Sequence, residues 1–134
     1  MNVAVHIVDG PLQDAIKCRG ANELAQRTTN VGATIVFEGV VRALEGERRL
    51  DALEYQAYEP MASQILTALA RDILAKHGLI SITVEHSRGR VAVGERSFRL
   101  AVHSAHRKEG LAATDEFIDR MKCDVPIWKL PVYS

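Results

Sequence analysis

The chain has 134 residues, 47% of them apolar and 25% charged, which is the size and make-up of one ordinary globular domain, 1–134, with material for one real core. Seventeen basic side chains balance seventeen acidic ones. That excludes the broad basic surface that nucleic acids or anionic membranes attract, so any anion site has to be local. From His86 onward nine Lys/Arg stand against six Asp/Glu, a modest lean of that kind.

The two cysteines, Cys18 and Cys123, are far apart and in no C-x-x-C pattern, which argues against a metal clip or a disulfide framework. Cys123 follows Lys122, so a reactive thiolate is one reading and a small half-buried side chain the other. No apolar run approaches the roughly 18–20 residues of a membrane span. No basic region followed by an apolar stretch marks a signal peptide, and the cytoplasm is the expected compartment.

Residues 3–8 are rich in β-branched side chains and end at Asp9-Gly10-Pro11, a strand closed by a turn. Leu12, Ala15 and Ile16 follow at helical spacing, and a short second helical piece is expected over 21–26. Residues 33–42 form a near-continuous apolar run, read as a strand buried on both faces, with Gly39 marking a bulge or a close backbone approach. Residues 50–58 alternate, and the two strands with their short charged connection are expected to pair antiparallel. Residues 59–77 carry the best helical pattern, with Met61, Ile65, Leu66, Leu69, Ile73 and Leu74 as the apolar stripe and Gly78 as its stop. Residues 80–86 alternate strictly, while 88–91 and 93–95 look turn-containing. In the strand 97–104, Phe98, Leu100 and Val102 point inward, and His103 faces away with Arg99 and Ala101. A last helix is expected over 107–122, burying Leu111, Ala112, Phe117, Ile118 and Met121 and leaving Asp115, Glu116 and Asp119 solvated. Pro126 then keeps 124–129 extended. The sum is an α+β chain, a mostly antiparallel sheet with about three helices packed on it.

Two segments carry candidate chemistry. His106-Arg107-Lys108 opens the last helix, where free backbone amides and adjacent cations suit a phosphate. Cations are unfavourable at that helix end, so either an anionic ligand or Glu109 has to compensate them. Lys122 closes the same helix and Lys129 follows Trp128. Each alone reads as a helix-end or surface charge. Brought together, the two amines would repel and one would fall toward neutrality, fit to move protons or attack an electrophile. Arg42 ends a strand beside a loop, a common home for a binding group. His6, His77, His86 and His103 show no metal-ligand spacing, and neither a nucleophile elbow nor a phosphate-cradling glycine loop occurs.

Taken together, Gly32-Ala33-Thr34-Ile35-Val36-Phe37-Glu38-Gly39-Val40-Val41-Arg42, Leu53-Glu54-Tyr55-Gln56-Ala57-Tyr58-Glu59-Pro60-Met61-Ala62, His86-Ser87-Arg88-Gly89 with Val93-Gly94-Glu95, Ser104-Ala105-His106-Arg107, and Met121-Lys122 through Pro126-Ile127-Trp128-Lys129 resemble the catalytic (large) subunit family of molybdopterin synthase, in family order over roughly residues 32 to 129. The resemblance implies a hammerhead-like fold and a sulfurtransferase. It would convert cyclic pyranopterin monophosphate to molybdopterin, with sulfur from the C-terminal thiocarboxylate of a small ubiquitin-like carrier ending in Gly-Gly. It implies a homodimer within a heterotetramer, a pocket drawing on both large subunits, and no metal or redox cofactor for this step. Arg42, His106 and Arg107 would hold the phosphate, and Lys122 and Lys129 would be the catalytic lysines. The pattern departs after Lys129: Pro131 stands where the family usually has an acid, and Leu130-Pro131-Val132-Tyr133-Ser134 replaces a longer tail. An impaired relative that binds the carrier or a pterin phosphate without turnover is therefore the alternative.

Overall fold

The computed structural model describes residues 2–13 and 29–134. Among them are seven strands and two helices: β1 (Val3–Asp9), β2 (Ala33–Val40), β3 (Leu44–Glu45), β4 (Arg48–Ala57), α1 (Met61–His77), β5 (Ser81–Ala92), β6 (Arg96–Ser104), α2 (Arg107–Asp124) and β7 (Ile127–Tyr133). The strands form one sheet with the path β2-β6-β5-β4-β3, β1 adding beside β5 and β7 beside β4. Only the β1–β5 pair is parallel. The architecture is α+β, as expected. The helical pieces expected between Leu12 and residue 26 lie outside the described residues beyond Gln13. No helix among the described residues is long and apolar enough to cross a membrane.

α1 buries Ala62, Leu66, Leu69, Ala70 and Ile73, a single stripe at helical spacing. Gly78 ends it at φ 63°, its amide returning to the Leu74 carbonyl, the left-handed cap that glycine adopts without a Cβ penalty. α2 buries Gly110, Ala113, Thr114, Phe117 and Met121. The expected Leu111 and Ala112 instead face solvent, Leu111 being 54% exposed. Gly110 explains the rotation. A Cβ there would lie 2.6 Å from Ile35 Cδ1 and 2.7 Å from Ser104 Oγ, so the helix start presses on β2 and β6 through its one residue without a side chain. Leu66, Leu69 and Ile73 of α1 meet Ile82, Val84, Leu100 and Val102 of the sheet and Phe117 of α2 in the main core. Phe117 stacks on Phe98 with ring centroids 6.4 Å apart. Glu116, expected to be merely solvated, ties the two helices together. It accepts hydrogen bonds from Lys76 (2.9 Å), Arg120 (3.2 Å) and the His77 ring (3.0 Å), and these partners, Lys76 foremost, hold its carboxyl at about 2.

Two expectations about β2 fail. It pairs with β6 rather than with the 50–58 strand, and it is not buried on both faces: Val36, Phe37 and Val40 are 47%, 40% and 50% exposed. The connection itself supplies the antiparallel partner. β3 folds back on β4 with Leu44 opposite Arg49 and Glu45 opposite Arg48, and Gly46 takes φ 62° at the tip, a tight-hairpin conformation that favours glycine. β4 then lies between β5 and β7, and β2 is left at the end of the sheet's path.

The 88–91 segment is strand rather than turn. Gly89 at φ 87° lies within β5 and resets its phase. His86 lies opposite Phe98, and Val91, an odd number of residues later, is also buried, packing with Val41, Leu50 and Leu53. On the far face of the sheet, Ser81, Thr83, Glu85, Arg99 and His103 are buried despite their polarity. His103 faces away from the helices as expected, its Nδ1 3.0 Å from Thr34 Oγ1.

Gly32 fixes the approach of β2 to the start of α2. Its amide donates to the Ser104 carbonyl at 3.0 Å, and a Cβ would lie 2.1 Å from the Ala105 carbonyl oxygen, a backbone atom that cannot turn aside. Gly32→Ala is expected to destabilise the fold by about 3 kcal/mol, the upper end of overpacking costs. The check is a lowered urea midpoint at unchanged m-value.

Candidate active site

The end of β2, the end of α2 and the start of β7 surround a cavity of ≈510 Å³, well within the range of small-molecule sites. Its floor is sheet: Tyr55 of β4, His86 of β5, and Ser97 and Phe98 of β6. β2 passes over that floor at Gly39, where a Cβ would meet Phe98 Cβ at an ordinary contact distance of 3.4 Å, and the ladder shifts register between Gly39 and Val40. Of the two expectations for Gly39, the bulge is the one seen. Beyond β2, the Val41 amide donates to the Glu95 carbonyl (3.0 Å) and the Gly94 amide to the Val41 carbonyl (2.9 Å), which fixes the chain where Arg42 begins the rim.

Three of the five predicted site residues meet here. Arg42, Lys122 and Lys129 all line the cavity, together with Glu45 as a single carboxylate. Lys122 comes from the last turn of α2, whose Met121 is held in the core. Lys129 comes from β7, directly opposite Tyr55 of β4, and such cross-strand partners place their side chains on one face. The expected extended tail is therefore a paired strand, pinned at its end by the Arg48 guanidinium 3.6 Å from the Tyr133 ring centroid. Most of the remaining lining is apolar, from Phe37, Leu53, Ile118 and Val125 among others. Arg42, Lys122 and Lys129 are themselves exposed.

His106 and Arg107 lie elsewhere. They begin α2 and are exposed, the His106 side chain to 83%. Ser104, just before them, pairs with Ala33 at the opposite end of β2 from Arg42. The seven strand steps of β2, at ~3.3 Å each, separate its ends by roughly 23 Å, too far for the two groups of cations to share a small ligand within one chain. Glu109 supplies the compensating anion at this helix start. Its carboxylate accepts from the His106 amide at 3.3 Å and lies 3.5 Å from His106 Nδ1. Bonds from its own amide and from that of His106 keep its carboxyl below the ordinary value.

The sequence reading assigned no role to Tyr55, Ser97 or His86. Tyr55 donates to Ser97 Oγ at 3.0 Å. The His86 ring stands edge-on to Tyr55 at 5.3 Å and tilted to Phe98 at 5.8 Å, and its Nδ1 donates to the Ser87 carbonyl at 2.7 Å. The signal for His86 was present, because it continues the inward series Ile82, Val84.

Sheet, helices and cavity define a class: an α+β fold whose last helix and last strand each bring a lysine to a largely apolar cavity that an arginine after β2 also lines. The chain belongs to the MoaE protein family, whose model matches residues 13–124. It is 41% identical over 104 residues to a molybdopterin synthase catalytic subunit of Arabidopsis thaliana, covering 77% of this chain and 52% of that one. It is 37% identical over 103 residues to that of Coccidioides immitis, covering 77% and 53%. The chain spans about half the length of these curated relatives. Among solved structures, molybdopterin synthase from Staphylococcus aureus superposes with a TM-score of 0.83 at 32% identity, covering 96% of this chain and 90% of that one. A complex of subunits 1 and 2 of molybdopterin-converting factor from Helicobacter pylori superposes with a TM-score of 0.78 at 26% identity, covering 97% and 89%. The family resemblance read from the sequence is therefore correct.

Proposed function

We propose that this chain is the catalytic subunit of a molybdopterin synthase. It takes sulfur from the C-terminal thiocarboxylate of a small carrier protein and places it on cyclic pyranopterin monophosphate. The observation that carries the reading is the convergence of Arg42, Lys122 and Lys129 on one cavity with a largely apolar lining. Arg42 pairs with phosphate in two-pronged fashion. The two lysines offset charge on the thiocarboxylate and on the oxygen released as the cyclic phosphate opens. Lys122 acts as acid/base or transient nucleophile, and Lys129 positions the substrate.

A second copy of the chain completes the site by bringing its own His106 and Arg107 to the rim, since the length of β2, roughly 23 Å, separates them from Arg42 within one chain. The exposed Val36, Phe37 and Val40 of β2 support an assembly that covers that strand. The carrier protein is the further partner, in line with the subunit complex described for the Helicobacter pylori relative.

Reconstitution tests the reading. The chain is mixed with a thiocarboxylated Gly-Gly-ended carrier and cyclic pyranopterin monophosphate, and the dithiolene product is assayed. Product is expected only with both partners. Tight binding of both without product would favour the impaired relative, for which Pro131 in β7, where the family usually has an acid, is the motivating feature.

A further inference from the structure

We propose that His86 is the general base of this cavity, taking a proton through Nε2 from the water that frees the transferred sulfur from the carrier. The proposal rests on the sulfur-transfer reading above. The overall chemistry needs such a water. When a thiocarboxylate gives up its sulfur and ends as a carboxylate, one oxygen has to come from solvent. Once sulfur has bonded to the pterin carbon while still held by the carrier's acyl group, the adduct is a thioester. Water oxygen then bonds to the acyl carbon as one water proton passes to His86 Nε2. The C–S bond breaks with its electron pair going to sulfur, the imidazolium returns its proton to that sulfur, and the new carboxylic acid ionises to solvent. Nothing is oxidised or reduced.

The placement of His86 suits that role. It lies on the core-facing row of β5 after Ile82 and Val84 and opposite Phe98, where an apolar side chain would pack at lower desolvation cost. It nevertheless lines the cavity, along with Arg42, Lys122 and Lys129. Its Nδ1 is 2.7 Å from the Ser87 carbonyl oxygen. A carbonyl can only accept, so Nδ1 carries the hydrogen and Nε2 keeps the lone pair. The same bond steadies the imidazolium once a proton arrives, as in a histidine oriented by a backbone acceptor.

Burial of the ring favours its neutral form. Tyr55 of β4 meets it edge-on and gives its own hydroxyl hydrogen to Ser97. Arg42, Lys122 and Lys129 contribute positive charge to the cavity and Glu45 the one carboxylate. Burial, first, lowers the affinity of His86 for a proton, and the Ser87 carbonyl opposes this without reversing it. The base form is therefore retained through neutral pH and is lost only on acidification below the ordinary histidine range of about 6.5.

The experiment uses the reconstituted system in single turnover. His86→Asn and His86→Ala are each expected to slow release of free carrier about 10²–10⁴-fold. A carrier–pterin thioester should accumulate, visible by intact-mass spectrometry and cleaved by hydroxylamine. In His86→Ala, added imidazole should restore release, and the acid limb of the rate profile should disappear. Release within twofold of wild type, or a slowed rate with neither adduct nor imidazole rescue, would overturn the proposal while leaving the sulfur-transfer reading intact. Absence of product with the wild-type chain would overturn both. Nitrogen-15 shifts of His86 in the wild-type chain give a reading independent of any variant. The Nδ1–H tautomer is expected, and an Nε2–H tautomer would exclude the proposed base.

Discussion

Lys122→Ala is expected to slow dithiolene formation by about 10²–10⁴-fold or more, while the fold and its assembly survive. Lys122 projects from the final turn of α2 into the cavity and is itself exposed, so truncation leaves Met121 and Val125 in the core beside it. Such surface truncations usually change stability by no more than ~0.5 kcal/mol. Loss of activity with an unchanged melting curve therefore isolates the chemistry. Retention of more than half the activity would remove Lys122 from the mechanism. Mixing tests the two-chain site directly. In a symmetric dimer with composite sites, Lys122→Ala and Arg107→Ala chains scrambled together regenerate about a quarter of the intact sites, because half the dimers are mixed and one of the two sites in each is whole. Each variant alone is expected to be inactive, in which case recovery from the mixture can only come from residues on different chains. Failure to recover any activity would return His106 and Arg107 to the role of an exposed helix start compensated by Glu109.

What the sequence revealed of this site depended on whether a residue's role is local. Lys122 and Lys129 could be paired only through the family resemblance, since spacing alone left each as a helix-end or surface charge, while the turn of the chain between them at Pro126 was legible locally. Gly78 could be read as a stop and Gly39 as a bulge because glycine answers to its own backbone and nearest neighbours. The β2 error had the opposite origin. Apolar continuity does not distinguish a strand buried on both faces from one at the sheet's end, and the partner choice was settled by β3, a two-residue strand too short to leave a pattern. The α2 rotation escaped for a similar reason. Leu111 is the larger apolar side chain, but Gly110 has to face Ile35 and Ser104, a contact across 75 residues of chain. His86 was visible in the alternation of β5, but nothing in the sequence says that β4, β6 and the end of α2 leave a cavity above it.

A large effect on stability is expected at Arg99. Its guanidinium is 3% exposed and bridges three strands, with Nε and Nη2 3.0 and 2.8 Å from Glu38 Oε2 in β2 and Nη1 3.1 Å from Glu85 Oε1 in β5. It also donates to the Gln13 carbonyl. Arg99→Leu withdraws this cation from Glu85, whose side chain is 10% exposed, while Glu38 keeps Arg96 at 2.8 Å, so the cost is expected at the low end of that for breaking a buried pair, about 3 kcal/mol. Burial raises the Glu38 carboxyl, but the hydrogen bonds from Arg99 and then Arg96 outweigh it and leave the folded value below the ordinary 4.5. A depressed carboxyl stabilises the fold above its unfolded value and loses that contribution as pH falls through the folded one. The gap between wild type and Arg99→Leu should accordingly be full at neutral pH and shrink below about pH 4.5, which paired urea titrations at pH 7 and pH 4 would show. An equal gap at both would mean that Arg99 contributes packing rather than charge. Because Glu38 immediately precedes Gly39 at the cavity wall, the variant should also bind the pterin phosphate more weakly even where it stays folded. Adding Glu85→Leu should recover part of the stability, since an apolar replacement of both partners avoids the uncompensated charge. It should not recover binding, which depends on the hold that Arg99 keeps on β2 through Glu38.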